Sequence, residues 1–165
     1  MRNPTADLEI VRQLMTDETP IPLNLALASG AIIVAGILLM EKHPDLTPAF
    51  KRLSLTIRET IRQAMRGVDP AFADMLKDGY EDALDERAVS YLSKTGALLV
   101  TLPVRDVWLT LSIMQAVTRH PDLTPFMLTQ IENIGRQIQA HLVRIHPDAS
   151  DLMNAGWDPS EDVQR

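Results

Sequence analysis

The heptapeptide Lys-His-Pro-Asp-Leu-Thr-Pro at 42–48 returns as Arg-His-Pro-Asp-Leu-Thr-Pro at 119–125, seventy-seven residues later. The same offset keeps apolar positions in step on both sides. Downstream it matches Phe50 with Met127, Ile57 with Ile134, Ile61 with Ile138 and Met65 with Leu142. Upstream it matches Leu25 with Leu102, Ile32 with Leu109 and Val34 with Leu111. A chain of 165 residues that uses one unit twice has few ways to fold. The unit reads as apolar helix, turn, amphipathic helix, and two such hairpins are expected to pack about a pseudo-two-fold axis. The expected architecture is a single all-α domain over 1–158, a bundle of about six helices. Repeat one covers 21–67, linker helices 69–96 and repeat two 98–146. An acidic, disordered tail is expected over 159–165.

Each residue of the repeated turn has a mechanical task. Pro44 and Pro121 stop the incoming helix by removing a donor and restricting His43 and His120 before them. Lys42, Arg119 and the two histidines place positive charge where a helix C-terminus favours it. Asp45 and Asp122 can accept from turn amides. Thr47 and Thr124 are good N-caps, and Pro48 and Pro125 suit the first position of the outgoing helix. A looser third copy, IHPDASDLM at 145–153, has Ser150 as its cap. The tripeptide His-Pro-Asp between two helices is similar to the loop of J-domain cochaperones, which stimulate heat-shock chaperone ATPases. That resemblance covers three residues, and Leu46 and Leu123 stand where the loop's basic residue would follow. A metal site from His43 and Asp45 with His120 and Asp122 is the other functional use of such a turn. A His-x-Asp pair is a weak metal signature, so the structural turn is the preferred reading.

Residues 23–40, LNLALASGAIIVAGILLM, hold no charge over eighteen positions, which is long enough to nominate a bilayer span. Their counterpart, 100–117, contains Pro103, Arg105 and Asp106. Inserting those two charges into lipid costs roughly 2.5–3.5 kcal/mol each. If both copies share one architecture, the first run is therefore a buried helix and membrane association is not expected. Gly30, Ala31, Ala35 and Gly36 would let other helices approach it closely. A helix apolar all round must be covered on every side, so a homodimer interface is the expected supplement. Further helices are expected after Thr5, along the Phe50–Ala64 stripe, through Phe72 to Ala88, and over about 103–119 and 125–145. Gly96 is expected to be a helix C′ stop. The segment GALLVTL at 96–102 has strand composition but no evident pairing partner, so no strand is assigned.

The charge of −6, the pI near 5.1 and the 4% aromatic content weigh against nucleic-acid binding, which needs a basic surface and often stacking platforms. The absence of Cys removes disulfides, thiolate catalysis and Cys-zinc sites, and fits a cytoplasmic location. Residues 41–66 carry a net charge of +3, with Arg58, Arg62 and Arg66 in one row at i, i+4 spacing. That row is a candidate site for an acidic partner or a phosphate, or else complements a neighbouring helix or is solvated. Trp157, in the acidic C-terminal stretch, is a separate candidate, to anchor a protein partner or to fold back on the chain's own bundle. His141 lies on the apolar stripe of the last long helix with no partner acid in sight, and is read as a packed histidine. Glu81, Asp82, Asp85 and Glu86 could hold Mg²⁺ against a phosphate substrate, as in an all-α phosphohydrolase, or form a solvated acidic face. No nucleophile–base pair, phosphate-binding Gly-rich loop or cofactor motif stands out. The expected function is a non-enzymatic interaction or assembly module, a homodimer. The alternatives are that phosphohydrolase and a membrane-associated protein anchored by 21–40.

Overall fold

The computed structural model describes residues 4–41, 47–70, 73, 96–119 and 125–149. Helix α1 spans Pro4–Thr16, strand β1 Pro20–Ala26, helix α2 Leu27–Glu41 and helix α3 Pro48–Arg66. Strand β2 follows at Ala97–Pro103, then helix α4 at Val104–Val117 and helix α5 at Pro125–Ile145. The chain is mostly helical, with one small sheet.

That sheet corrects the expectation that no strand forms. β1 and β2 pair antiparallel, from Pro20 opposite Pro103 to Ala26 opposite Ala97. Each strand alternates with period two. Ile21, Leu23 and Leu25 point inward from β1, and Leu98, Val100 and Leu102 point inward from β2. The prolines at 20 and 22 hold residues 19 and 21 away from helical geometry. The partner that GALLVTL lacked in the sequence is the start of the uncharged run itself. Only residues 27–40 of that run are helical, and α2 is 15 residues long. No described helix is long and apolar enough to cross a membrane. Gly96 also departs from expectation: it immediately precedes β2, and its carbonyl accepts from Leu27 N at 3.0 Å.

Each strand runs into its helix with no intervening turn. Helix α4 starts after Pro103, which offers no side-chain cap. Its first amides are satisfied from outside the helix. Val104 N donates to Thr19 O and Arg105 N to Asp17 O, both at 2.9 Å. Leu27 N, at the start of α2, makes the corresponding bond to Gly96 on the other side of the ribbon.

The helices form a layer on the ribbon's inner face. α2 packs against α3, α4 against α5, and α2 against α4. The second helix of each pair also touches the other pair's strand, α3 on β2 and α5 on β1. Ten residues of α2 are buried, from Leu27 through Gly30 to Leu38. The close approach expected of its glycines is real. A Cβ on Gly30 would lie 2.6 Å from a Leu98 methyl, and one on Gly36 would lie 2.8 Å from the Met114 methyl. Trp108 of α4 is fully buried, and Ile131, Ile134, Ile138 and Leu142 of α5 complete the aliphatic core. The helical part of the uncharged run is thus buried within one chain, from Leu27 to Leu38.

Candidate functional site

The ribbon that seals the core with one face leaves its other face bare. Pro20, Pro22, Asn24 and Ala26 point outward from β1, and Ala97, Leu99 and Thr101 from β2. Across the strands Asn24 stands opposite Leu99 and Pro22 opposite Thr101. A half-buried antiparallel pair ordinarily turns charged or polar side chains to water. This one turns out seven uncharged side chains, and Leu99 is 76% exposed. The register is centred on Leu23 opposite Val100, so the ribbon presents a nearly two-fold surface with β1 and β2 as its halves.

The arginine row expected on the surface is distributed between interior and rim. Arg58 is 3% exposed, and its Nε lies 3.3 Å from Glu41 Oε1 at the end of α2. Glu59 stands 3.9 Å from its other side. Arg62 is half-buried, donates to Ala73 O at 3.2 Å and pairs with Glu59 at 3.2 Å. Arg66 is exposed at the end of α3. Arg58 and Arg62 are turned into contacts within the chain, and the three do not form one exposed row.

A second polar knot ties α1, α4 and the end of α5 together. Asp17 Oδ1 accepts from Thr19 N at 2.8 Å, and Asp17 Oδ2 lies 2.5 Å from His146 Nε2. The Thr19 hydroxyl, the Thr19 amide and then His146 hold the Asp17 carboxyl down at about 2. Beside it Arg105 bridges Glu18 and Asp106, each at 3.4 Å. Burial raises the Asp106 carboxyl, and Arg105 opposes that rise. His146 belongs to the loosest copy of the HPD turn, and its partner Asp17 was not legible in the sequence, because 129 residues separate the two.

Among the turn residues, Thr47 caps α3 by accepting from Phe50 N at 3.2 Å, with Pro48 in the first turn, and Pro125 opens α5. His43, Pro44, Asp45, His120, Pro121, Asp122 and Thr124 lie outside the described residues. So do Glu81, Asp82, Asp85, Glu86 and Trp157. His141 is half-buried on α5. Among the described residues no group of three or more His, Asp or Glu could hold a metal ion. An apolar groove of about 340 Å³ opens between α1, the start of α3 and α4, lined by Met15, Phe50, Leu53 and Trp108 among others. No known protein family, curated protein or solved structure matches the chain.

Proposed function

We propose that the chain is a non-enzymatic assembly module that pairs with a second copy of itself through the outward face of the β1–β2 ribbon. The observation that carries this reading is the uncharged outward face, with Leu99 at its middle and 76% exposed. Exposed apolar side chains on a face without charge, here Leu99 with Pro20, Pro22, Ala26 and Ala97, are the kind of surface that marks interaction sites. A near-two-fold face suits an isologous contact, in which each patch meets its own copy. Two seven-residue strands present a footprint of roughly 23 Å by 10 Å, well under the roughly 800 Å² per partner of a standard interface, so the pairing is weak and concentration-dependent. The reading also takes the chain as an internal duplication. The two strands begin seventy-seven residues apart, at Pro20 and Ala97, and so do the helices that follow them, at Leu27 and Val104.

Sedimentation velocity across a hundredfold concentration range tests it. The wild-type chain is expected to shift from 18.4 kDa toward twice that mass, and Leu99→Asp to stay monomeric with an unchanged circular-dichroism spectrum. A wild-type chain that stays monomeric throughout, or a Leu99→Asp chain that pairs as well as wild type, overturns the proposal.

One observation favours a second reading. A two-stranded antiparallel ribbon is an element that the major groove of B-DNA admits, with alternate outward side chains on base edges. Asn24 and Thr101 are able to read bases. Against this, the outward face has no Lys or Arg to meet phosphates, and the whole chain carries −6. Retention on duplex DNA at low salt, lost in Asn24→Ala, would favour it over self-association.

A further inference from the structure

One half of the chain carries an arginine where the other carries a glycine. The Arg58 guanidinium sits at the C-terminal end of α2 beside Glu41. Seventy-seven positions later stand Gly135 in place of Arg58 and Thr118 in place of Glu41. A Cβ built on Gly135 meets nothing within 4 Å. The space belongs to a cavity of about 240 Å³ between α4 and α5, walled by Leu111, Met114 and Ile131 and rimmed by Gln115, Thr118 and Glu132. The same offset matches these walls with residues that are buried in the first half: Leu111 with Val34, Met114 with Ile37 and Ile131 with Ser54. The position from which a buried Arg58 side chain extends in the first half thus opens onto empty space in the second.

Its chemistry remains that of a guanidinium seat. Apolar walls suit an alkyl stem. The last turn of α4 forms one end, where the negative pole of a helix favours a cation. Thr118 Oγ1 donates to Gln115 O at 2.6 Å, which leaves its lone pairs as acceptors. The Gln115 amide oxygen and the Glu132 carboxylate add acceptors for a planar fork of N–H donors. Arg136 also lines the cavity, the one like charge among the described residues that line it; its guanidinium donates to Asn133 on its own helix.

We propose that the α4–α5 notch binds a guanidinium group on an alkyl stem, supplied from outside the chain. The source is either free arginine or an arginine side chain on another protein. Titrating the ¹⁵N-labelled full chain with L-arginine, N-acetyl-arginine amide and L-lysine tests this. Both arginine forms are expected to give saturable shifts at the Gln115, Thr118 and Gly135 amides, with lysine at least tenfold weaker. Equal binding of the two forms points to a protein-borne side chain. Binding of free arginine alone points to the amino acid, its carboxylate read by Arg136. Gly135→Arg fills the notch from within and is expected to abolish the shifts while its melting temperature stays at or above wild type. If that variant misfolds, Gly135→Met fills the same space without charge. No saturable shift from either arginine form, lysine binding as tightly as arginine, or undiminished binding in a folded notch-filled variant overturns the proposal.

Discussion

Arg58 and Glu41 form an ion pair that is worth most through what its loss would leave behind. The guanidinium is 4% exposed and the carboxylate 21%. Removing one partner strands a charge in low dielectric, whereas replacing both with apolar groups need cost little. Glu41→Gln is expected to lower stability by about 2–3 kcal/mol in urea titration, with Glu59 supplying partial compensation. Glu41→Leu with Arg58→Met is expected to recover most of that loss. A Glu41→Gln chain within about 0.5 kcal/mol of wild type would show that the pair is screened as a surface pair is. No sequence pattern marked Arg58 and Glu41 as a buried pair. Glu41 looked like the polar end of an apolar run, and Arg58 like one member of a row with its neighbours a turn and two turns on. The row spacing was right, but the burial of its first member depends on where α2 ends.

At the level of elements, the helices at 48–66 and 125–145 were legible and the ribbon was not. Pro125 and Ile145 bound α5 as its four-and-three periodicity predicts, and α3 follows its apolar stripe from Pro48 to Arg66. A helix writes its buried face locally in sequence. A strand needs a partner, and β1's partner begins at Ala97, with its own signal merged into an apolar helix by the direct passage from Ala26 to Leu27. The alternation Ile21, Leu23, Leu25 between Pro20, Pro22 and Asn24 was the available clue. The junction at the other end of β1 sets a pH dependence. The Asp17 carboxyl falls from 3.8 to about 2 on folding, so its contribution is present above the unfolded value and is lost as pH falls from about 4 to 2. With the side chain 22% exposed, that contribution is about 1–2 kcal/mol. Asp17→Asn is expected to lower stability by this amount at pH 6 and to flatten the acid limb between pH 4 and 2, followed by urea midpoints. An unchanged acid limb in Asp17→Asn would assign the dependence to other carboxylates.

At the scale of the whole molecule, the crossed packing of α3 on β2 and α5 on β1 leaves neither half with a private core. Unfolding is therefore expected to be a single transition. In a Trp157→Phe background, the fluorescence of buried Trp108 reports the second half, and far-ultraviolet circular dichroism reports both. Their urea midpoints are expected to coincide. A separation larger than experimental error would mean that one half holds together without the other.

The strand order has a consequence for how the chain is made. β1 ends at Ala26, and its partner in the sheet begins at Ala97, about seventy residues later. At the roughly 5–20 residues per second of translation, several seconds pass between their syntheses. During that interval the strand β1 and the apolar helix that follows it have been made, and the strand that pairs with β1 does not yet exist. The nascent chain must carry an adhesive segment through the cell before it can close, and the time of that exposure is set by the length of 27–96 and not by the stability of the finished fold.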